Sequence, residues 1–368
     1  MQSSVYDRRQ SEHSSLKRAR PWEPAEIAAE YSSLKQARTW ESAEIATGLR
    51  RDFSESIAEW REHFDAPWKV WTPSNTFKFR GLDAAGRNSV FVIVSSRVEP
   101  DAVAKNVESA EDARRALGDL GNVIPAPLKA GLIGERTYTT FAYHRSFRFL
   151  RRPLGDLQKS MLGRRVLPWL RTATEKTARE PTTQERRACF VVPLERLRDD
   201  PFTPDETRTA AEAAWRRLET GAWRPRLAFM HDDLNSSNIL KPTGIAAWGP
   251  PMIIDWERAS IRGYGFYDLF GMTSWMPLSA RRLRIELDRH CRILGHGPAD
   301  IRSYLLAALG TKALALRNPL PEFIWREPHR IVHDDVMSLI PGDQRKTAVD
   351  VAGAISQLKR LDRLESSA

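Results

Sequence analysis

One stretch of the sequence, HDDLNSSNIL at residues 231–240, gathers a His, two Asp and two Asn in front of an apolar pair. The apolar RLAFM lies on its other side, so it reads as a polar loop between two buried pieces. Further on, the apolar pair in MIIDWE delivers Asp255 to the end of a short strand. Polar loops on adjacent short strands can face one another, which makes Asp233, Asn238 and Asp255 candidates for a single cleft. Magnesium takes hard oxygen ligands in octahedral geometry, commonly one or two protein carboxylates completed by water and substrate phosphates. An Asn carbonyl and one Asp would meet that demand and leave a second Asp to accept a proton from an attacking hydroxyl. The same His-Asp-Asp recurs in HDDVMSLI at 333–340, but Ile340 stands where the Asn should be, and that copy reads as capping or surface chemistry.

The elements that must position these groups divide the chain by texture. From about residue 70, NTFKFRGL, the turn DAAGRN and SVFVIVSS read as a β-hairpin, with Phe77 and Phe79 alternating in its first arm. EPDAVAKNVESAEDARRALGDLG follows at helical spacing and closes on Gly121, and APLKAGLIGERTYTTFAYHRSF returns to strands around a Gly-Glu turn. Beyond residue 150 the pattern is mainly helical, as in TPDETRTAAEAAWRRLETG and ADIRSYLLAALGTKALAL. The expected fold is α+β and two-lobed: a small antiparallel lobe with one helix over 65–148, and a larger helical lobe over 149–368.

Ahead of both, residues 1–60 read as a helical extension containing a tandem repeat, SSLKRARPWEPAEIAAEY at 14–31 and SSLKQARTWESAEIATGL at 32–49. Eighteen residues make about five helical turns, which would put Trp22, Ile27, Trp40 and Ile45 on related faces. Pro21 and Pro24 argue against an unbroken helix through the first copy, although a helix can begin with Pro in its first turn. Two copies are too few to stack as a solenoid.

The 368 residues are 41% hydrophobic, enough for a substantial core. No long uncharged apolar run and no secretory leader is present, so the expectation is a cytoplasmic protein without a membrane span. Cys189 and Cys291 lack disulfide or zinc spacing and read as reduced thiols. The net charge of +10 is spread along the chain, which favours a solvated basic surface over a nucleic-acid partner.

H-x-D-x-x-x-x-N followed by an apolar-apolar-Asp strand end resembles the catalytic segments of the aminoglycoside phosphotransferase and choline kinase family, whose fold is protein-kinase-like. The likeness spans about residues 70–275. SNTFKF at 74–79 resembles the family's phosphate loop and first strand, and GYGFYDLFG resembles the helix whose Asp fastens the catalytic loop. The resemblance implies Asp233 as catalytic base, His231 as structural support and Asp268 as loop anchor. It further implies Asn238 and Asp255 as ligands of Mg2+, and Ser74, Asn75 and Lys78 as nucleotide contacts. The implied reaction passes the γ-phosphate of ATP or GTP to a hydroxyl of a sugar, glycoside or amino alcohol. The family's small-lobe lysine is missing, because SVFVIVSSR places Ile93 at that position. Lys78, Arg97 and Lys105 are the possible replacements, with Glu108 and Glu111 as helix partners, and a non-catalytic kinase-like binding protein is the alternative. The Arg-rich helical lobe disfavours a polycationic acceptor. Trp256, Trp275 and Trp325 could stack on an acceptor but more often serve as core.

Overall fold

The structure is a computed structural model describing residues 24–63, 76–151, 153–201, 203–241, 251–273, 275–276 and 278–315, with the backbone alone for 24–37, 280 and 315. Ser74, Asn75, Trp325 and the second His-Asp-Asp lie outside these residues, as does the first part of the repeat.

The chain is α+β and two-lobed. Five antiparallel strands form the small lobe: β1 (Glu59–Glu62), β2 (Thr76–Leu82), β3 (Asn88–Ser95), β4 (Lys129–Ile133) and β5 (Arg136–Ala142), in the order β1-β2-β3-β5-β4. The hairpin turn places Gly86 at φ 72° and the Gly-Glu turn places Gly134 at φ 61°, both left-handed positions that glycine takes without a Cβ clash. Period-two alternation turns Phe77, Phe79, Val92 and Val94 to one face of the sheet. There they pack with Tyr138, Ile133, Ile57 and Trp60, and with Ile45 and Leu49 of helix α1 (Pro24–Asp52).

Helix α1 begins at Pro24 and runs unbroken across the junction of the two repeat copies. Its second-copy positions differ from the shared face expected of them: Ile45 is fully buried, whereas Trp40 is 73% exposed. Five residues of separation rotate a side chain by about 140°, so the two cannot point the same way. Strand β1 escapes the sequence pattern because Glu59, Arg61 and Glu62 surround the single buried Trp60. Helix α2 (Ala102–Leu117) stops at Gly118, φ 54°, three residues before the expected Gly121.

The larger lobe is built from α3 (Leu154–Thr177), α4 (Thr183–Arg186), α5 (Val192–Asp199), α6 (Asp205–Glu219), α7 (Tyr267–Thr273), α8 (Ala280–Leu294) and α9 (Pro298–Ala315). A π-turn, Arg187–Val191, joins α4 to α5. Their apolar faces enclose one core that includes Leu167, Phe190, Trp223, Phe229, Phe266 and Tyr304. Short strands lie on it: β7 (Leu227–Met230) pairs with β10 (Ser260–Tyr264), while β8 (Ile239–Lys241) lies between β6 (Arg145–Ser146) and β9 (Met252–Ile253). Both cysteines are free thiols. No helix among the described residues is long and apolar enough to cross a membrane.

Candidate active site

The loop after β7 is fixed from beneath by one carboxylate. Asp268 of α7, 3% exposed, accepts the N–H of His231 through Oδ2 at 2.5 Å and the N–H of Asp232 through Oδ1 at 3.0 Å. His231 is fully buried and accepts the N–H of Asp233 on Nδ1 at 3.3 Å, which puts its ring proton on Nε2, facing the Ile254 carbonyl at 3.1 Å. The imidazole thus ties the loop to the segment after β9. Trp256 packs edge-on against that ring at 4.7 Å and donates to the Ile253 carbonyl, while Trp275 donates to the Leu234 carbonyl at 3.0 Å. Trp256 is buried and serves this packing, so it is not a stacking platform for an acceptor.

Asn235 caps the single turn Ser236–Asn238 by accepting two backbone N–H groups, and that turn carries Asn238 back beneath Asp233. The Asn238 amide donates to the Asp233 carbonyl at 2.9 Å and to its carboxylate Oδ2 at 3.1 Å, which aims Asn238 Oδ1 away from Asp233. The Ile254 N–H donates to the Asn238 carbonyl at 2.9 Å and Ile239 pairs with Ile253, which brings Asp255 alongside. Among the described residues, the non-glycine positions with left-handed φ are Asp232 (66°) and Asp255 (70°), one on each side of this arrangement. Asp tolerates that region better than most residues, and the two positions flank Asp233 and Asn238, where the chain turns sharply on both sides of the loop.

The small lobe adds a cation. Lys78 lies directly opposite Ile93 in the β2–β3 register, so both side chains leave the same face of the sheet, away from Phe77 and Phe79. Glu257 registers what crosses the cleft. Its side chain reaches solvent at 56% exposure, but its pKa is raised, first by the desolvating protein around it and next by Asp255; Arg258 and Lys78 oppose the rise, and Asp233 adds to it. Lys78, Asp233 and Asp255 thus each lie within electrostatic reach of Glu257. The other cations considered from sequence are engaged elsewhere: Arg97 pairs with Glu44 at 2.6 Å, and Lys105 pairs with Glu99 and Asp101 at 3.0 and 3.2 Å. On α2, Glu111 is held by Arg114 at 2.5 Å and Glu108 is exposed.

The donor set suits magnesium in its sparsely liganded form. No cluster of three or more His, Cys, Asp or Glu able to enclose a metal is present among the described residues. One amide oxygen and one carboxylate leave room for water and phosphate oxygens to complete an octahedron.

Sequence reasoning missed Glu257, although it stands two residues beyond Asp255. It also missed Lys312 of α9, whose ammonium pairs with Asp232 from the far side of the loop. Nothing in the local sequence marks a partner 80 residues away.

No protein-family model matches the chain, and no curated protein matches it. Among solved structures it is similar to a choline kinase from Streptococcus pneumoniae, at 15% identity over 84% of this chain and 98% of that one, with a TM-score of 0.47. It is also similar to a choline/ethanolamine kinase family protein from Mesorhizobium loti, at 16% identity, 86% and 99% coverage and a TM-score of 0.46. A spectinomycin phosphotransferase in complex with ADP and spectinomycin gives 11% identity, 88% and 98% coverage and a TM-score of 0.40.

Proposed function

We propose that this chain is a small-molecule O-phosphotransferase that moves the γ-phosphate of ATP or GTP to a hydroxyl of a sugar, glycoside or amino alcohol. What supports this reading is that hydrogen bonds and strand pairing bring Asn238 and Asp255 beside Asp233, and that Lys78 acts on the same Glu257 carboxylate as Asp233 and Asp255 do. In this reading Asp233 orients the acceptor hydroxyl and takes its proton as the new O–P bond forms and the bond to the nucleoside diphosphate breaks. The Asn238 amide fixes the Asp233 carboxylate, and the backbone bonds to Asp268 and His231 fix the loop that carries it. Asn238 Oδ1 and Asp255 would hold magnesium, which would supply charge neutralisation for the phosphate oxygens. Lys78 places its ammonium on the phosphates from β2, in the space that a β3 lysine would otherwise fill. Phosphoryl transfer asks little covalent chemistry of a protein, so positioning and electrostatics are the contributions these residues make.

Ile93 is the observation that favours the second reading, a non-catalytic binding protein. The placement of Lys78 across from it weighs for the enzyme, because the missing charge returns to the same face of the sheet. The test is transfer of labelled γ-phosphate, with magnesium, to a panel of sugars, glycosides and amino alcohols. Transfer by the wild type that is abolished in a folded Asp233→Ala variant supports the reading. Transfer that persists at the wild-type rate in that variant overturns the role given to Asp233.

A further inference from the structure

We propose that the ion pair between Asp232 and Lys312 is a positioning device that sets the orientation of Asp233 from behind the loop; this rests on the reading of Asp233 as the base. Asp232 lies immediately before Asp233 with φ at 66°, where glycine would sit without strain. The residue at this position is instead a carboxylate with 4% side-chain exposure, paired with an ammonium that is 14% exposed. A buried pair of this kind adds little net stability compared with apolar packing, but losing one partner leaves an uncompensated charge. What the pair contributes here is a defined conformation.

The far end of the pair is rigid. At Gly310 a Cβ would fall 2.0 Å from the Pro193 carbonyl, so α9 is seated directly against α5, two residues before Lys312. Between these positions, Thr311 shares a hydrogen bond at 2.6 Å with the Tyr264 hydroxyl of β10. The near end needs such a fixed point. Asp232 and Lys312 line a cavity with Met230, Ser260, Arg262, Tyr267 and Thr311, so the buried Asp232 carboxylate faces a gap on that side and is held by polar partners, the Lys312 ammonium and the Tyr267 hydroxyl. Asp268 holds the amides of His231 and Asp232 from one direction, and Lys312 holds the Asp232 carboxylate from another. Rotation of the 232–233 peptide would withdraw the Asp233 N–H from His231, and the two anchors on Asp232 oppose that rotation. Lys312 is accordingly a positioning residue, and it touches no reacting atom.

The test is hydrogen–deuterium exchange on the full chain, with magnesium-dependent ATP hydrolysis, water serving as acceptor, as the second readout. In Lys312→Met, the amides of residues 231–238 should exchange about tenfold faster or more while those of β2–β5 keep their protection. The kcat for hydrolysis should fall by a similar factor at unchanged KM, and Lys312→Arg should retain both properties. If Lys312→Met fails to fold, Asp232→Gly combined with Lys312→Met removes the stranded carboxylate and should fold with the same loosened loop. Wild-type protection of residues 231–238 in the single or the double variant would overturn the proposal. A wild type that neither binds nor hydrolyses ATP would count against the phosphotransferase reading instead, and the exchange result would still decide whether Lys312 orders the loop.

Discussion

Relocating one ammonium tests how the cleft manages without a lysine on β3. Lys78→Met keeps the length and apolar stem of the side chain and removes its charge, while Phe77 and Phe79 on the opposite face keep the core intact. A hydrogen bond to a charged group is worth about 1.5–3 kcal/mol. At 1.4 kcal/mol per factor of ten, magnesium–ATP affinity should fall by about 10- to 150-fold. The register makes a rescue possible: directly opposed residues on antiparallel strands have Cβ atoms about 4.5–5.5 Å apart, within the span of a lysine stem. Lys78→Met combined with Ile93→Lys should therefore recover most of the lost affinity, whereas Ile93→Lys alone crowds two ammonium groups on one face. Calorimetric titration of each variant with magnesium–ATP measures all three effects. Affinity unchanged in Lys78→Met would refute the assignment, and a double variant no better than Lys78→Met would refute the claim that the two positions are interchangeable.

Two further outcomes follow from buried groups. Asp268→Ala strands two buried N–H donors that bond to a charged acceptor, so stability should fall by about 3–6 kcal/mol, read as a lower urea midpoint, with Asp268→Asn losing about half as much. His290 is fully buried and donates from Nδ1 to the Glu286 carbonyl at 2.8 Å, and burial pushes its pKa below the ordinary histidine value. The unfolded chain then binds the extra proton first, so this contribution is present above about pH 6.5 and is lost progressively as the pH falls below that value towards the lower folded pKa. Urea unfolding from pH 8 to 5 should show stability declining with acidity, with a shallower decline in His290→Leu; identical slopes would contradict this.

How much of this was legible in the sequence depended on how local each signal was. The loop from His231 to Asn238 could be read because its polar residues stand between apolar flanks, and the hairpin could be read from the alternation of Phe77 and Phe79. The two lobes followed from the change from strand to helix texture near residue 150. Strand β1 was hidden by length and charge, since four residues with one buried Trp show no period. The disposition of Trp40 and Ile45 was misjudged because an 18-residue repeat relates equivalent positions of the two copies, not different positions within one copy. Among the three possible replacements for the missing lysine, the proposal of Lys78 rests on strand register and on the ion pairs of Arg97 and Lys105 with Glu44, Glu99 and Asp101, which a linear reading does not supply. Lys312 was invisible for the same reason, its partner being brought near by tertiary packing.

The central claim is that Asp255 and Asn238 hold a magnesium–nucleotide complex over Asp233, and the most direct measurement is titration of the folded protein with ATP and with GTP, each with and without magnesium, repeated on Asp255→Ala. The account predicts binding of at least one nucleotide that depends on magnesium and is lost in the variant. Absence of binding by the folded wild type, or binding that survives in Asp255→Ala with its magnesium dependence intact, would contradict it.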